Sequence, residues 1–227
     1  VVASAQKAPT SARAQAELAV VLFNAGQYEQ SLEVMDRAVE NIPNNDPLLL
    51  INRLVIRCNL LLLQPHELDA AVTSLSPKNY DPRYLKHYAD LSQALSEGRC
   101  PGVEIEQLRP LFTNMLKNPA NSQPGSLAFS HIKYLAGSVD LQAGNIAAAM
   151  RQFLESLEAK PDAGSAMTMA AMVATAGYPE EALLLSKRAL EYLDVESRGV
   201  RLGLKVTEKD ILEFRAIVTA EIQGATE

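Results

Sequence analysis

Apolar side chains recur along the chain at the three- and four-residue spacing of helices that bury one face. The clearest stripe lies near the end, where Ile211, Leu212, Phe214, Ile217, Val218 and Ile222 fall largely on one side and Glu208, Lys209, Glu213, Arg215 and Glu221 on the other. A helix is predicted there from near Thr207 to Gln223, with Thr207 as its N-cap and Asp210 three residues on. The most apolar stretch runs from Leu48 to Leu63, but Asn52, Arg53, Arg57 and Asn59 interrupt it. A membrane span needs about 20 mostly apolar residues, so this segment reads as a buried helix. A shorter helix follows it, starting near His66.

A frame repeats along the chain. Gly144, Ala149, Phe153 and Pro161 line up with Gly177, Ala182, Ser186 and Asp194 at an offset of 33 at every position. The first segment supplies the same frame with Leu18, Ala19, Gly26, Tyr28, Met35, Ala38 and Pro43. In each copy a helix is predicted to end at the glycine, which permits the turn, and a second helix begins two or three residues later. A proline or acidic turn then ends the unit. Small residues let the two helices approach closely: Ala19, Gly137 and Ala170 in the first helix, Ser31, Ala149 and Ala182 in the second. From Tyr84 to Gly98 the pattern partly returns, matching Ser130 to Gly144 through Tyr88/Tyr134, Ser92/Ser138 and Leu95/Leu141. The offset there is 46, which places the extra residues in a loop over Asn114–Gly125, marked by Asn118-Pro119 and Gln123-Pro124-Gly125.

These residues resemble the tetratricopeptide repeat, a helix–turn–helix unit of about 34 residues. The resemblance covers 12–45, 130–162 and 163–195, with 46–79 and 80–119 as degenerate pairs, and Gln15, Lys133 and Ala166 stand where the family often has an aromatic. It implies an all-α chain, a TPR-like right-handed superhelical solenoid of about five antiparallel helix pairs over 1–227, closed by a capping helix at 207–223. In that family the first helices line a concave groove that holds a partner. Carried over position by position, the groove receives Arg13, Val20, Phe23 and Asn24 from the first copy and Tyr88, Ser92 and Leu95 from the third. The fourth copy supplies His131, Tyr134, Ser138, Leu141 and Gln142, and the fifth supplies Met167, Ala171 and Thr175. The resemblance thus implies a neutral to apolar lining with two tyrosines. Ala16 and Val20 stand where the family's lysine–asparagine clamp for acidic C-terminal peptides would be, which sets that ligand aside. The implied function is a non-catalytic protein–protein interaction scaffold that binds a partner peptide or helix. Self-association through an open N-terminal end is a further expectation.

The insert Gly98-Arg-Cys-Pro-Gly102 and the divergent repeats around it are also similar to the soluble C-terminal regions of bacterial membrane O-antigen polymerases and protein O-glycosylation ligases. That similarity spans about the middle third of the chain. It implies a periplasmic accessory domain attached to a membrane protein, with a cytoplasmic location as the alternative. The chain opens Val1-Val2-Ala3-Ser4 without a basic and apolar leader pattern, so any targeting segment is expected to be missing from it.

Composition narrows the field further. With 48% hydrophobic residues the chain can bury a large core, and the balance of 21 Lys+Arg against 27 Asp+Glu, net −6, lacks the basic surface that nucleic acid selects. Phosphate loops, nucleophile elbows and metal-ligand spacings are missing, so no cofactor, metal or catalytic residue is assigned. A stand-alone enzyme on a helical scaffold is the third reading, without a constellation to support it. His66-Glu67-Leu68-Asp69 reads as a helix start, with carboxylates in the first turn. Arg198, Arg201 and Lys205 read as a solvated loop. Cys58 and Cys100 form either one disulfide in an oxidising compartment or two separate buried thiols.

Overall fold

The computed structural model describes residues 12–41, 46–195 and 205–224, which leaves Pro43, Arg198 and Arg201 outside the described residues. Among the described residues there are eleven α-helices, two short 3-10 helices and no strand. The chain divides into two compact units, Val1–Asn114 and Met115–Glu227.

The first unit is built from helix pairs. α1 (Ala12–Asn24) folds back on α2 (Tyr28–Glu40), α3 (Pro47–Asn59) is followed by α4 (Pro65–Leu75), and α5 (Leu85–Ser96) is entered through a 3-10 turn at Pro82–Tyr84. The second member of the third pair starts as a 3-10 helix at Ile105–Leu108 and continues as α6 (Arg109–Met115). Close approach of α1 and α2 is sealed by the Ser31 hydroxyl, which donates to the Ala19 carbonyl at 2.7 Å. Asp46 caps α3 by accepting from the Leu48 N–H at 2.9 Å. Glu67 accepts from the Gln64 N–H at 3.0 Å at the start of α4 and pairs with Arg57 at 3.0 Å, so the acidic run after His66 is spent on a helix start.

How each first helix ends is a matter of backbone chemistry. Its last carbonyls have no partner further along the helix, and a residue in the left-handed region lets the next N–H groups turn back to them. Gly26 takes φ +74; its N–H donates to Phe23 at 2.9 Å and the Gln27 N–H reaches Leu22 at 2.9 Å. Gly98, Gly144 and Gly177 repeat this turn. At the end of α3 the same bonds form, Leu61 N–H to Cys58 at 3.0 Å and Leu62 N–H to Arg57 at 2.8 Å, but the left-handed residue is Leu61, at φ 59. A side chain in that region costs about 1–2 kcal/mol. Leu61 is 61% exposed and returns little of that cost by burial.

Cys58, in the last turn of α3, is joined by a disulfide to Cys100, with the α-carbons 4.9 Å apart. The bond closes a span of 42 residues, for which the chain-entropy model gives about 4 kcal/mol. Cys100 lies in a detour between α5 and the next helical segment, where Gly102 takes φ +76 and the Val103 N–H turns back to the Cys100 carbonyl at 3.1 Å. The second helix therefore starts at Ile105, well after the two or three residues that the repeat frame predicts. Part of the extra length assigned above to Asn114–Gly125 belongs to this detour, whose course the disulfide and Gly102 set.

The second unit has α7 (Leu127–Gln142) with α8 (Ile146–Ala159), α9 (Ala163–Thr175) with α10 (Pro179–Glu191), and a final α11 (Glu208–Gly224). α7 and α8 are tied by a reciprocal pair in which the Ser130 hydroxyl donates to the Ser156 carbonyl at 3.0 Å and Ser156 returns the bond at 2.8 Å. A β-carbon on Gly137 would sit 2.6 Å from two ring atoms of Phe153, so the glycine is required by the phenylalanine opposite. In the following copy both positions are small: Ala170 takes the glycine's place and Ser186 the phenylalanine's.

α11 opens with Thr207 and Asp210 capping each other: the Thr207 N–H donates to the Asp210 carboxylate at 2.7 Å and the Asp210 N–H to the Thr207 hydroxyl at 3.3 Å. Arg215 fastens it to α10 through the Leu183 carbonyl and the Ser186 hydroxyl, both at 2.8 Å. The sequence stripe is narrower than predicted. Ile211 and Val218 are buried, whereas Leu212 is 50% and Ile217 62% exposed, because α11 rests on its neighbours along one seam only. No helix among the described residues is long and apolar enough to cross a membrane.

Leu61→Gly should raise the stability of the first unit by about 1 kcal/mol, the left-handed penalty less the added freedom of the unfolded chain; a lowered urea midpoint would contradict this reading of the turn. Gly137→Ala should lower stability by about 1–3 kcal/mol through overpacking against Phe153. An unchanged midpoint for that variant would show that the ring gives way freely.

Candidate functional site

The first helices of the pairs in the first unit each turn a regular face to solvent. On α1 the face is Arg13, Glu17, Val20 and Asn24; on α3 it is Leu48, Asn52, Val55 and Asn59, both spaced by four, three and four residues. On α5 His87 and Asp90 continue the pattern above the buried Ala94, preceded by Arg83 and followed by Glu97. This spacing keeps side chains on one side of a helix. Together they line two adjoining cavities of about 510 and about 660 Å³ that share Val20, Asn52 and His87.

Charge in this groove is neutralised within short distances. Lys86 pairs with Asp90 at 2.6 Å and Arg13 with Glu17 at 3.6 Å, while Arg83 pairs with Asp81 and Arg99 with Glu97. At one end Arg99 donates to the Asn59 side-chain oxygen at 2.8 Å, and the amide nitrogen of Asn59 donates to the Val55 carbonyl at 2.8 Å. Asn24 and Asn52 make no side-chain hydrogen bond to another described residue, and each offers one donating and one accepting group to the groove. The half-buried His87 is held below the usual imidazole value of 6.5 by loss of water on burial, with Lys86 acting in the same direction and Asp90 against it.

The residues carried over from the repeat frame divide into those that reach this groove and those that do not. Arg13, Val20, Phe23 and Asn24 line it. Tyr88, Ser92 and Leu95 are buried and do not. Tyr88 lies against Tyr80 and the edge of Phe112, with ring centroids 5.9 Å away in each case, and Ser92 donates to the Tyr88 carbonyl at 3.0 Å. This aromatic packing takes the frame positions of α5 into the core and rotates Lys86, His87, Asp90 and Gln93 outward. Tyr88 therefore lies outside this lining, which is rich in amides and paired charges. Asn52, Val55 and Asn59 on α3 were missing from the frame because Leu61 stands where the other copies carry glycine. The available signal was the set of polar residues interrupting an apolar helix.

In the second unit a separate cavity of about 640 Å³ brings together Leu141, Gln142, Met167, Ala171 and Thr175, with Met172 and Val206 at its side. His131 and Ser138 are buried instead, Ser138 donating to the Tyr134 carbonyl at 3.0 Å. Tyr134 is half-buried, its hydroxyl 3.6 Å from the Met172 sulfur, and burial raises its pKa above the ordinary 10.0. Among the described residues no group of three or more His, Cys, Asp or Glu side chains is placed to hold a metal ion.

The depressed His87 pKa carries a sign that can be checked. Because the charged form is the one disfavoured in the fold, its contribution to stability is complete above 6.5 and is lost as pH falls through the lower folded value. Proton NMR of the His87 ring should give a midpoint below 6.5. A midpoint at or above that value would mean that the groove is wetter than its geometry indicates.

No family model and no curated protein matches the sequence. Two solved structures are similar in fold. One, described as the crystal structure of TTC0263, a thermophilic TPR protein in Thermus thermophilus, is 18% identical, with 92% of this chain and 99% of that one covered and a TM-score of 0.48. The other, described as the MamA RS-1 ArsTM double mutant, is 13% identical, with 82% and 98% covered and a TM-score of 0.41. The assignment stands on the molecule's own paired helices, the left-handed turn that ends each first helix and the small residues between them: the fold is tetratricopeptide-like.

Proposed function

We propose that the chain is a non-catalytic interaction scaffold and that the groove of α1, α3 and α5 binds an extended, mostly uncharged segment of a partner protein. The observation that supports this most is the pair of amides on the cavity lining, Asn24 and Asn52, which make no side-chain hydrogen bond to another described residue. A side-chain amide has one donating and one accepting end, and so matches the N–H and C=O of a peptide backbone in extended form. Val20, Phe23 and Val55 beside them supply apolar contact for the partner's side chains. The paired charges around the rim leave no net field to favour a highly charged segment.

A second reading makes this chain a periplasmic accessory domain of a bacterial membrane glycan polymerase or ligase. The Cys58–Cys100 disulfide supports it, since such bonds persist in oxidising compartments. It is compatible with the first reading, because an accessory domain also acts by holding another chain.

Peptides selected from a display library against the full chain test the proposal. Their binding should shift the amide resonances of Asn24, Asn52 and His87, and Asn52→Ala should weaken it about fivefold through the loss of hydrogen bonds worth about 1 kcal/mol net, with helicity by circular dichroism unchanged. Selected peptides that bind elsewhere, or bind Asn52→Ala as tightly, would refute the groove as the binding surface.

A further inference from the structure

We propose that the Cys58–Cys100 disulfide is the positioning element for one end of the groove, so that the oxidised chain presents Arg99 over the cavity and the dithiol chain does not. The two half-cystines are each followed or preceded by a groove residue: Asn59 comes directly after Cys58 on α3, and Arg99 directly before Cys100. These two neighbours bond to each other at 2.8 Å across 40 residues of sequence, and both line the 510 Å³ cavity. The bond from Asn59 to the Val55 carbonyl turns its oxygen toward Arg99. Glu97 holds the same guanidinium from α5's C-terminal side. Arg99 itself is half exposed and sits on the detour between Gly98 and Gly102, both in left-handed conformation, so that among the described residues its tie to α3 consists of the Asn59 bond and the adjacent disulfide.

Reduction by a dithiol is balanced without any further reactant. One reductant thiolate attacks a cysteine sulfur and breaks the sulfur–sulfur bond; the second displaces that cysteine and leaves as a cyclic disulfide. Two electrons pass to Cys58 and Cys100, which take up the two protons given up by the reductant. Both cysteines are buried, so the exchange proceeds through local opening of the detour.

The inference rests on the groove being the binding surface only for its functional meaning; the following experiment uses no ligand, so its failure is distinct from the failure of peptide binding. Amide hydrogen exchange is compared for the full oxidised chain, the chain reduced with dithiothreitol and the variant C58S/C100S. The Arg99 N–H, bonded to Ala94 at 3.3 Å, and the Val103 N–H, bonded to Cys100 at 3.1 Å, should exchange about tenfold faster without the disulfide, while Asn145 and Tyr178 in the second unit stay within about twofold. In the oxidised variant Asn59→Ala the Arg99 side-chain NMR signal should move as it does on reduction, which keeps the test open where C58S/C100S fails to fold. Unchanged exchange at Arg99 and Val103, or an unmoved Arg99 side-chain signal, would overturn the proposal. So would exchange that rises equally throughout α1 and α2, since the bond would then hold the whole unit and not the groove's end.

Discussion

Each first helix in this protein must stop and reverse within a few residues, and its last carbonyls must be satisfied while it does so. A single residue in the left-handed conformation achieves both, because it turns the following N–H groups back onto the helix end. Everything else follows from that reversal: the antiparallel pairing, the need for small residues where the pairs close, and the solvent-facing side of the first helices. That Leu61 is held in this conformation without the help of a missing side chain shows how strongly the surrounding structure imposes it.

The interior is adjusted pair by pair around this constraint. Gly137 lies under Phe153, whereas the next copy has alanine and serine at those two places. The Phe153 ring is accommodated by removal of the side chain opposite it. The serines serve a related purpose, since Ser31, Ser130 and Ser156 are small enough for close approach and still hydrogen-bonded to the opposite helix. Buried polar groups are tolerable in such a core only when their bonds are made.

The cavity linings of the two units differ in character. In the first unit the outward face of α3 carries Asn52 and Asn59 alternating with the apolar Leu48 and Val55. In the second unit the lining is dominated by Leu141, Met167, Met172 and Val206. A surface of amides and paired charges offers hydrogen-bond donors and acceptors, whereas one of leucine and methionine offers adaptable apolar contact.

Much of this was legible in the sequence because it is local. The glycine turns, the Thr207–Asp210 cap and the helix start at Glu67 all depend on residues within a few positions of one another. The 33-residue offset then reveals that the same local unit recurs. The repeat frame and the cavity lining name the same residues on α1 and different ones on α5, where Tyr88 meets Tyr80 and Phe112 and carries its helix face inward. No pattern internal to α5 contains that information, since Phe112 arrives from a later helix. The bond between Cys58 and Cys100, the meeting of Asn59 with Arg99, and the exposure of Leu212 and Ile217 were likewise settled only when distant segments packed. Helical period specifies which residues share a face; tertiary packing decides which of those faces is covered.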